Sequence, residues 1–360
     1  MKIVLLGDSL ATQRAGIHYY GMQLVKKIAR QYQHHELFIV LPWPLEEITS
    51  LRLTPIIVPI WPAIPFHLRI RQLTTIPRRL RKLAPDIVIE LAHFGPFGLP
   101  ANTKRITVIH DLTPIHYPQF HDRTSVLLHR KLMPRVLEKA DYIFTNSLAT
   151  KSTITADYPN VSPHVTVIYP EVVEPSAKLS ATMPPPYWPY FLSVGTMEPR
   201  KNLQVILAAF EIYCANHPST KTQLIFAGAE GWKNKAFEDK LSASEVRDRI
   251  VITGRIERAD LWMLYRGALA LISASVAEGF GLPLLEAMSL RVPLILSDIP
   301  VYREVGGKPA RFFQHHDHDA LANHLEQIAI TETDLDAWRE QSYNQYLNLI
   351  SIKPEWPIFD

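Results

Sequence analysis

Short apolar runs alternate along the chain with longer stretches in which apolar residues recur every three to four positions. The runs Ile3–Leu6, Leu37–Leu41, Ile87–Leu91, Ile106–Ile109, Tyr142–Thr145 and Val165–Ile168 are continuous. Continuity, as opposed to alternation, is the pattern of strands covered on both faces of a parallel sheet. Between them Ile17–Gln31, Leu68–Leu83, Val126–Lys139 and Leu148–Ala156 have helical periodicity. Residues 171–189 break the rhythm: they hold Pro175, Pro184, Pro185, Pro186 and Pro189 and no long apolar run. Strands then resume at Phe191–Val194, Leu224–Ala227, Ile250–Thr253, Ala268–Ile272 and Pro293–Leu296. Helices resume at Leu203–Asn216, Asp260–Gly267, Pro283–Ser289 and Ala320–Ile330, and the amphipathic stretch Leu335–Ile350 follows.

Strand–helix alternation of this kind predicts an α/β protein of two doubly wound, Rossmann-like domains facing one another across a cleft. The boundaries read as a first domain over 1–170, a linker over 171–189, a second domain over 190–334, and a C-terminal helical segment over 335–360 that packs back on the first domain. At roughly 150 residues per domain, 360 residues agree with two.

Composition changes this picture in three places. The formal charge is +3, but residues 1–186 hold 21 Lys/Arg against 13 Asp/Glu, which is +8, and residues 187–360 hold 17 against 22, which is −5. Halves of opposite sign predict different partners. The lone cysteine, Cys214, rules out an internal disulfide framework and a multi-cysteine metal site and fits a reducing, cytoplasmic compartment. No apolar run approaches the ~18–20 residues that cross a bilayer, and the opening Met1–Gly7, cut short by Asp8, reads as a buried first strand and not as a secretory leader.

Ligands of doubly wound sheets sit outside the carboxyl ends of the strands, which makes the segments after strands the places to look for chemistry. The most specific is Glu278-Gly279-Phe280-Gly281-Leu282-Pro283-Leu284-Leu285-Glu286-Ala287-Met288. Its glycines permit close backbone approach, and Pro283 suits the first turn of a helix. Free N–H groups and a helix dipole then face the ligand, a setting that favours an anion such as phosphate. The two glutamates suit a hydroxyl-rich ligand, because an ionised carboxylate accepts several O–H bonds.

The second segment, Gly195-Thr196-Met197-Glu198-Pro199-Arg200-Lys201-Asn202, sets a guanidinium fork beside an ammonium at a strand-to-helix turn, a clamp for phosphate. The third, His110-Asp111-Leu112-Thr113-Pro114, puts an imidazole at a strand end, where it could hold a substrate hydroxyl or serve only as hydrogen-bonded structure. The fourth, around Gly16, has one glycine at a helix mouth and lacks the G-x-G-x-x-G of dinucleotide sites, which argues against a nicotinamide enzyme.

Together these segments resemble the retaining nucleotide-sugar glycosyltransferases of the GT-B fold, glycosyltransferase family 4. The resemblance is strongest from Phe191 to Gly307 and weakest over 42–85, and it includes V-I-T-G-R-I and V-P-L-I-L-S-D-I-P in the family's order. It implies that Arg200 and Lys201 bind the donor diphosphate, that the backbone at Phe280, Gly281 and Leu282 adds N–H groups, and that Glu286 holds the ribose. It further implies that Glu278 holds the donor sugar, that Arg255 and Ile256 border the base, that Gly16 approaches the diphosphate and that His110 contacts the transferred sugar. Glu278, His110 and Lys201 are the implied catalytic set. Thr196 stands where many members carry arginine after the glycine, and Gly16-Ile17-His18-Tyr19 departs from the common G-I-G-R-Y. The implied reaction is hexosyl transfer with retention, with UDP-glucose favoured as donor and GDP-mannose second. The acceptor would be a polysaccharide or lipid-linked sugar. Fixed cations and helix N-termini can carry the charge on the leaving diphosphate, so the expectation includes no metal and no other cofactor.

Asp317-His318-Asp319, preceded by His315 and His316, spells a metal-binding pattern, but it reads better as an acidic helix start with Asp317 as N-cap. A sugar-nucleotide epimerase of the same architecture and a non-catalytic nucleotide-sugar binder remain as alternatives. A phosphorylase is disfavoured, lacking the length and a pyridoxal-lysine motif. Arg69, Arg71, Arg78, Arg79, Arg81 and Lys82 share a helical stretch with Ile70, Leu73, Ile76, Leu80 and Leu83 as its apolar positions. No RNA- or DNA-binding signature accompanies them, so nucleic acid is not an expected partner. The face is either solvated or meets an anionic membrane surface or lipid-diphosphate acceptor, with Trp43, Trp61 and Phe66 as interfacial anchors or core.

Overall fold

A computed structural model describes residues 1–12, 16–60, 71–95, 98–172, 181–330 and 332–356. The chain divides into one unit of residues 1–171 with the tail from Lys353, and a second of residues 172–352.

The first unit is a seven-stranded sheet: β1 (Lys2–Leu6), β2 (Glu36–Leu41), β3 (Thr54–Ile57), β4 (Ile87–Glu90), β5 (Lys104–Ile109), β6 (Tyr142–Thr145) and β7 (Val165–Val167). All pairings are parallel, in the order β3-β2-β1-β4-β5-β6-β7. The continuous apolar runs are buried because both faces are covered. On one, the helix Gly16–Gln31 presses Leu24, Val25 and Ile28 against Ile3, Leu5 and Ile39. On the other, the helix Ile76–Leu83 brings Ile76 and Leu80 to Val4, Leu6 and Val88. Burying such a side chain contributes about 1.5–3 kcal/mol.

The second unit is a six-stranded sheet: β8 (Tyr190–Val194), β9 (Gln223–Ala227), β10 (Ile250–Gly254), β11 (Ala270–Ser273), β12 (Leu294–Ser297) and β13 (Arg311–Phe313). The order is β10-β9-β8-β11-β12-β13, again all parallel. Its core joins Phe191, Phe210, Tyr213, Leu224, Phe226 and Ile272. In each unit the strand order reverses beside the first strand, between β1 and β4 and between β8 and β11. That switch point opens a crevice at the strand carboxyl ends.

Three expectations change. The helix Glu332–Ser351 belongs to the second unit and packs there. Ser342 Oγ donates to the Val292 carbonyl at 2.8 Å, Trp338 Nε1 donates to that of Pro309 at 2.6 Å, and Gln345 lies against Gly307. The tail from Lys353 belongs to the first unit, where Trp356 meets Tyr32 and Phe144 edge-on. The end of the expected linker is pinned to the second unit: Asp260 accepts from the Thr182 amide and hydroxyl and from the Met183 amide, at 2.6, 2.8 and 2.9 Å.

The basic stretch is also wound differently. Residues 71–75 form a π-helical turn before the helix Ile76–Leu83. That turn buries Arg71, which pairs with Asp8 and donates Nε to the Val58 carbonyl, and leaves Leu73 56% exposed. Arg78, Arg79, Arg81 and Lys82 are exposed. Arg69, Trp61 and Phe66 lie outside the described residues.

Candidate active site

The switch point of the second unit collects the strongest sequence signals because β8 and β11 are neighbours. After β8 the chain turns through Gly195, whose φ of 148° is in a region that side chains rarely enter. A Cβ there would stand 3.1 Å from Lys201 Cε, so the lysine side chain crosses over this glycine. A 3₁₀ turn, Pro199–Lys201, and Asn202 in the left-handed conformation lead into the helix Leu203–Asn216. This abrupt entry presents Arg200 and Lys201 at the helix mouth.

After β11 the chain runs through Ser275 and Glu278 to Gly281, left-handed at φ 95°, and the helix Leu282–Ser289 begins with Pro283 in its first turn. The two loops are joined at the backbone. The Val276 amide donates to the Arg200 carbonyl at 2.9 Å, and Arg200 Nη1 donates to that of Ala277 at 2.6 Å.

Between the loops lies Glu278, with its side chain 10% exposed. One oxygen accepts from Lys201 Nζ at 2.6 Å and from Ser275 Oγ at 2.9 Å, and the other pairs with Arg200 Nη1 at 2.6 Å. Burial alone would push this carboxyl up, but the charges and hydrogen bonds of Arg200 and Lys201 outweigh it and bring it down to about 2. Arg200 also pairs with buried Glu198 at 2.5 Å. Two cations facing two carboxylates form a site poised for exchange of anions.

Glu286, four residues into the same helix, accepts from Tyr265 Oη at 3.0 Å and pairs with Arg258 Nη2 at 3.1 Å. Burial raises its pKa, against the pull of Arg258. Arg255 is exposed and Ile256 half-buried at the end of β10, beside the open, left-handed Gly254. Phe280 is buried, while Gly281 and Leu282 are half-buried at the helix start. The mouth of that helix is where N–H groups lack intrahelical partners.

The remaining sequence-named residues belong to the first unit. Gly16 opens the helix Gly16–Gln31, next to residues 13–15 outside the described set. His110 follows β5 and is buried, with Nε2 donating to the Leu91 carbonyl at 2.8 Å and its ring 5.2 Å from that of His93. Burial lowers its pKa and favours the neutral ring. Asp317 accepts from the Ala320 amide at 2.9 Å and so caps the helix His318–Ile330, the structural role its spacing suggested. Among the described residues no three His, Cys, Asp or Glu gather as a metal site.

The structure brings Arg200, Lys201 and Glu278 together, and around them stand supports that the sequence motifs did not single out. Glu198 stood inside a quoted motif, and Arg258 stood two residues past Ile256. Tyr265 closes the segment Leu261-Trp262-Met263-Leu264-Tyr265, which falls in the family's order, while Ser273, Ser275 and Tyr302 had no motif to announce them.

The two halves of the chain match two family models. Residues 15–172 match the one described as Glycosyltransferase Family 4, and residues 185–345 match the one described as Glycosyl transferases group 1. O-antigen chain mannosyltransferase B of Escherichia coli is 26% identical over 94% of this chain and 92% of its own length. The serotype-specific mannosyltransferase WbdA of Escherichia coli is 39% identical over a segment covering 35% of this chain and 15% of WbdA. Among solved structures, sucrose-phosphate synthase from Thermosynechococcus elongatus superposes with a TM-score of 0.73 over 97% of this chain and 94% of its own, at 16% identity. The fold is the GT-B architecture. Among the described residues no helix is long and apolar enough to cross a membrane.

Proposed function

The chain belongs to the glycosyltransferases, with its first half of family 4 and its second of group 1, and from that premise we propose that it moves a mannosyl residue from a nucleotide sugar to a hydroxyl of a growing polysaccharide or lipid-linked sugar. GDP-mannose stands ahead of UDP-glucose here, the reverse of the order favoured from sequence, because both curated relatives described above are named mannosyltransferases.

One observation carries the chemical reading: Glu278 is held between Arg200 and Lys201 at 2.6 Å from each. The donor diphosphate takes the two cations, with the backbone N–H groups at Phe280, Gly281 and Leu282 and the helix dipole behind them. Glu278 is then free to accept hydroxyls of the donor sugar, and Glu286, steadied by Tyr265 and Arg258, accepts those of the ribose. As the anomeric carbon becomes oxocarbenium-like, negative charge grows on the departing phosphate, where fixed cations stabilise it most. Transfer proceeds with retention, and the leaving phosphate takes the acceptor's proton. The cations and dipole are sufficient electrostatic support without a bound metal.

A panel of nucleotide sugars, assayed for hydrolysis with and without chelator, tests the reading. Turnover of GDP-mannose above the other donors and insensitive to chelator is expected. Turnover of none, or loss on chelation, would overturn it.

The exposed Arg78, Arg79, Arg81 and Lys82 support a second reading, in which the first unit meets an anionic membrane surface from the cytoplasmic side. Each cation near such a surface contributes about 1 kcal/mol. Flotation with anionic but not neutral vesicles is the expected result, and equal flotation with both would remove this reading.

A further inference from the structure

Tyr302 lies on the helix Pro300–Gly306, one strand beyond the loops that hold the cations. It is 1% exposed, and its phenol oxygen is 2.7 Å from Ser273 Oγ. Ser273 Oγ is in turn 3.4 Å from Ser275 Oγ, so the phenol reaches Ser275 through Ser273. Ser275 is fully buried and donates to Glu278 at 2.9 Å, while its carbonyl accepts from Ser297 Oγ, at the end of β12, at 2.6 Å. With the Ser275 proton committed to the carboxylate, its oxygen has lone pairs left for the other hydroxyls. The Tyr302 ring also supports the anion loop, since a Cβ on Gly281 would stand 3.0 Å from Tyr302 Cε1.

We infer that Tyr302 is a positioning residue, which acts through Ser273 and Ser275 to aim the Glu278 carboxylate at the donor sugar. The inference rests on the donor-site reading above. Hydroxyls that pass a bond along a chain polarise one another, and each link inside a buried site fixes the next. When the diphosphate draws Arg200 and Lys201 away, Ser275 is the neutral donor that stays on Glu278. Tyr302 and Ser297 hold that serine from its side chain and its backbone respectively. The relay keeps the carboxylate ionised and oriented in the loaded site, where the cations no longer do so.

Tyr302→Phe tests this, because it removes only the hydroxyl and keeps the ring against Gly281. With GDP-mannose as donor, kcat is expected to fall about tenfold, the loss of one well-placed hydrogen bond, with KM changed less than twofold. Ser273→Ala combined with Tyr302→Phe should cost no more than the larger single effect, as members of one chain do not add. The thermal midpoint should stay within a few degrees.

A second readout is independent of turnover. Carbon-13 carboxyl resonances of labelled glutamate, assigned by difference against Glu278→Gln, should show Glu278 titrating at higher pH in Tyr302→Phe than in wild type with GDP bound. An unmoved titration overturns the relay even if the enzyme is active. A moved titration in a protein that hydrolyses no donor leaves the relay standing and removes the proposed reaction. Effects of the two substitutions that simply add, or a kcat unchanged in Tyr302→Phe, also overturn the relay.

Discussion

Neutralising Glu278 should make the second unit less stable and its cations more available, and both effects follow from one geometry. The carboxyl stands at about 2 in the folded chain against an ordinary 4.5. A displacement of this size corresponds to about 3 kcal/mol of differential interaction, and with the side chain 10% exposed little of it is lost to solvent screening. The sign is that of a depressed acid. The stabilisation is fully present above about pH 4.5 and is lost as pH falls through about 2. Glu278→Gln should therefore lower the unfolding free energy by about 2–3 kcal/mol at pH 7, since the amide oxygen keeps part of the hydrogen bonding. Urea unfolding followed by tryptophan fluorescence should show the gap from wild type narrowing between pH 4.5 and 2. Calorimetry at pH 7 should show GDP binding the variant several-fold more tightly, because Arg200 and Lys201 have lost an internal counter-ion, while transfer is abolished. A pH-independent stability gap, or GDP affinity equal to or weaker than wild type, would refute the reasoning.

Other expectations concern two further ion pairs, Arg258 with Glu286 and Arg71 with Asp8. Arg258→Ala should raise the donor KM about tenfold with little change in kcat. It removes the cation that offsets the burial of Glu286, so the carboxyl titrates higher and the defect should shrink as pH rises; a defect independent of pH would separate Arg258 from Glu286. Asp8→Ala leaves Arg71 buried at 2% exposure without its charge partner and should cost about 3–5 kcal/mol. Asp8→Leu with Arg71→Met should recover most of that loss in chemical denaturation, and no recovery would assign the cost to packing.

Much of this was legible in the sequence for a physical reason. Parallel strands covered on both faces are continuous apolar runs, and such runs marked eleven of the thirteen strands among the described residues. The two that escaped, β3 and β13, are edge strands of four and three residues, and β3 contains Pro55, which cannot donate to a ladder. Arg200, Lys201 and Glu278 were legible because each lies in a motif that follows a strand, and two adjacent strands bring such loops together. Tyr302, Tyr265 and Arg258 were not, because only the packing of separate helices carries them to Glu278 and Glu286. The burial of Arg71 was hidden for the opposite reason: a helical stripe of cations predicts a solvated face, and the π turn rotates one member out of it. The packing of the helix Glu332–Ser351 on the second unit depends on hydrogen bonds such as Ser342 to Val292, which no periodicity encodes.

The central claim is that Lys201 and Arg200 are a diphosphate clamp that Glu278 occupies when no donor is bound. Release of mannose from GDP-mannose by wild type and by Lys201→Ala, with both shown folded by circular dichroism, tests it most directly. The account predicts steady turnover by wild type and a loss of at least about a hundredfold in the variant, the scale of a missing charge at a leaving phosphate. Equal turnover by the two proteins would contradict it.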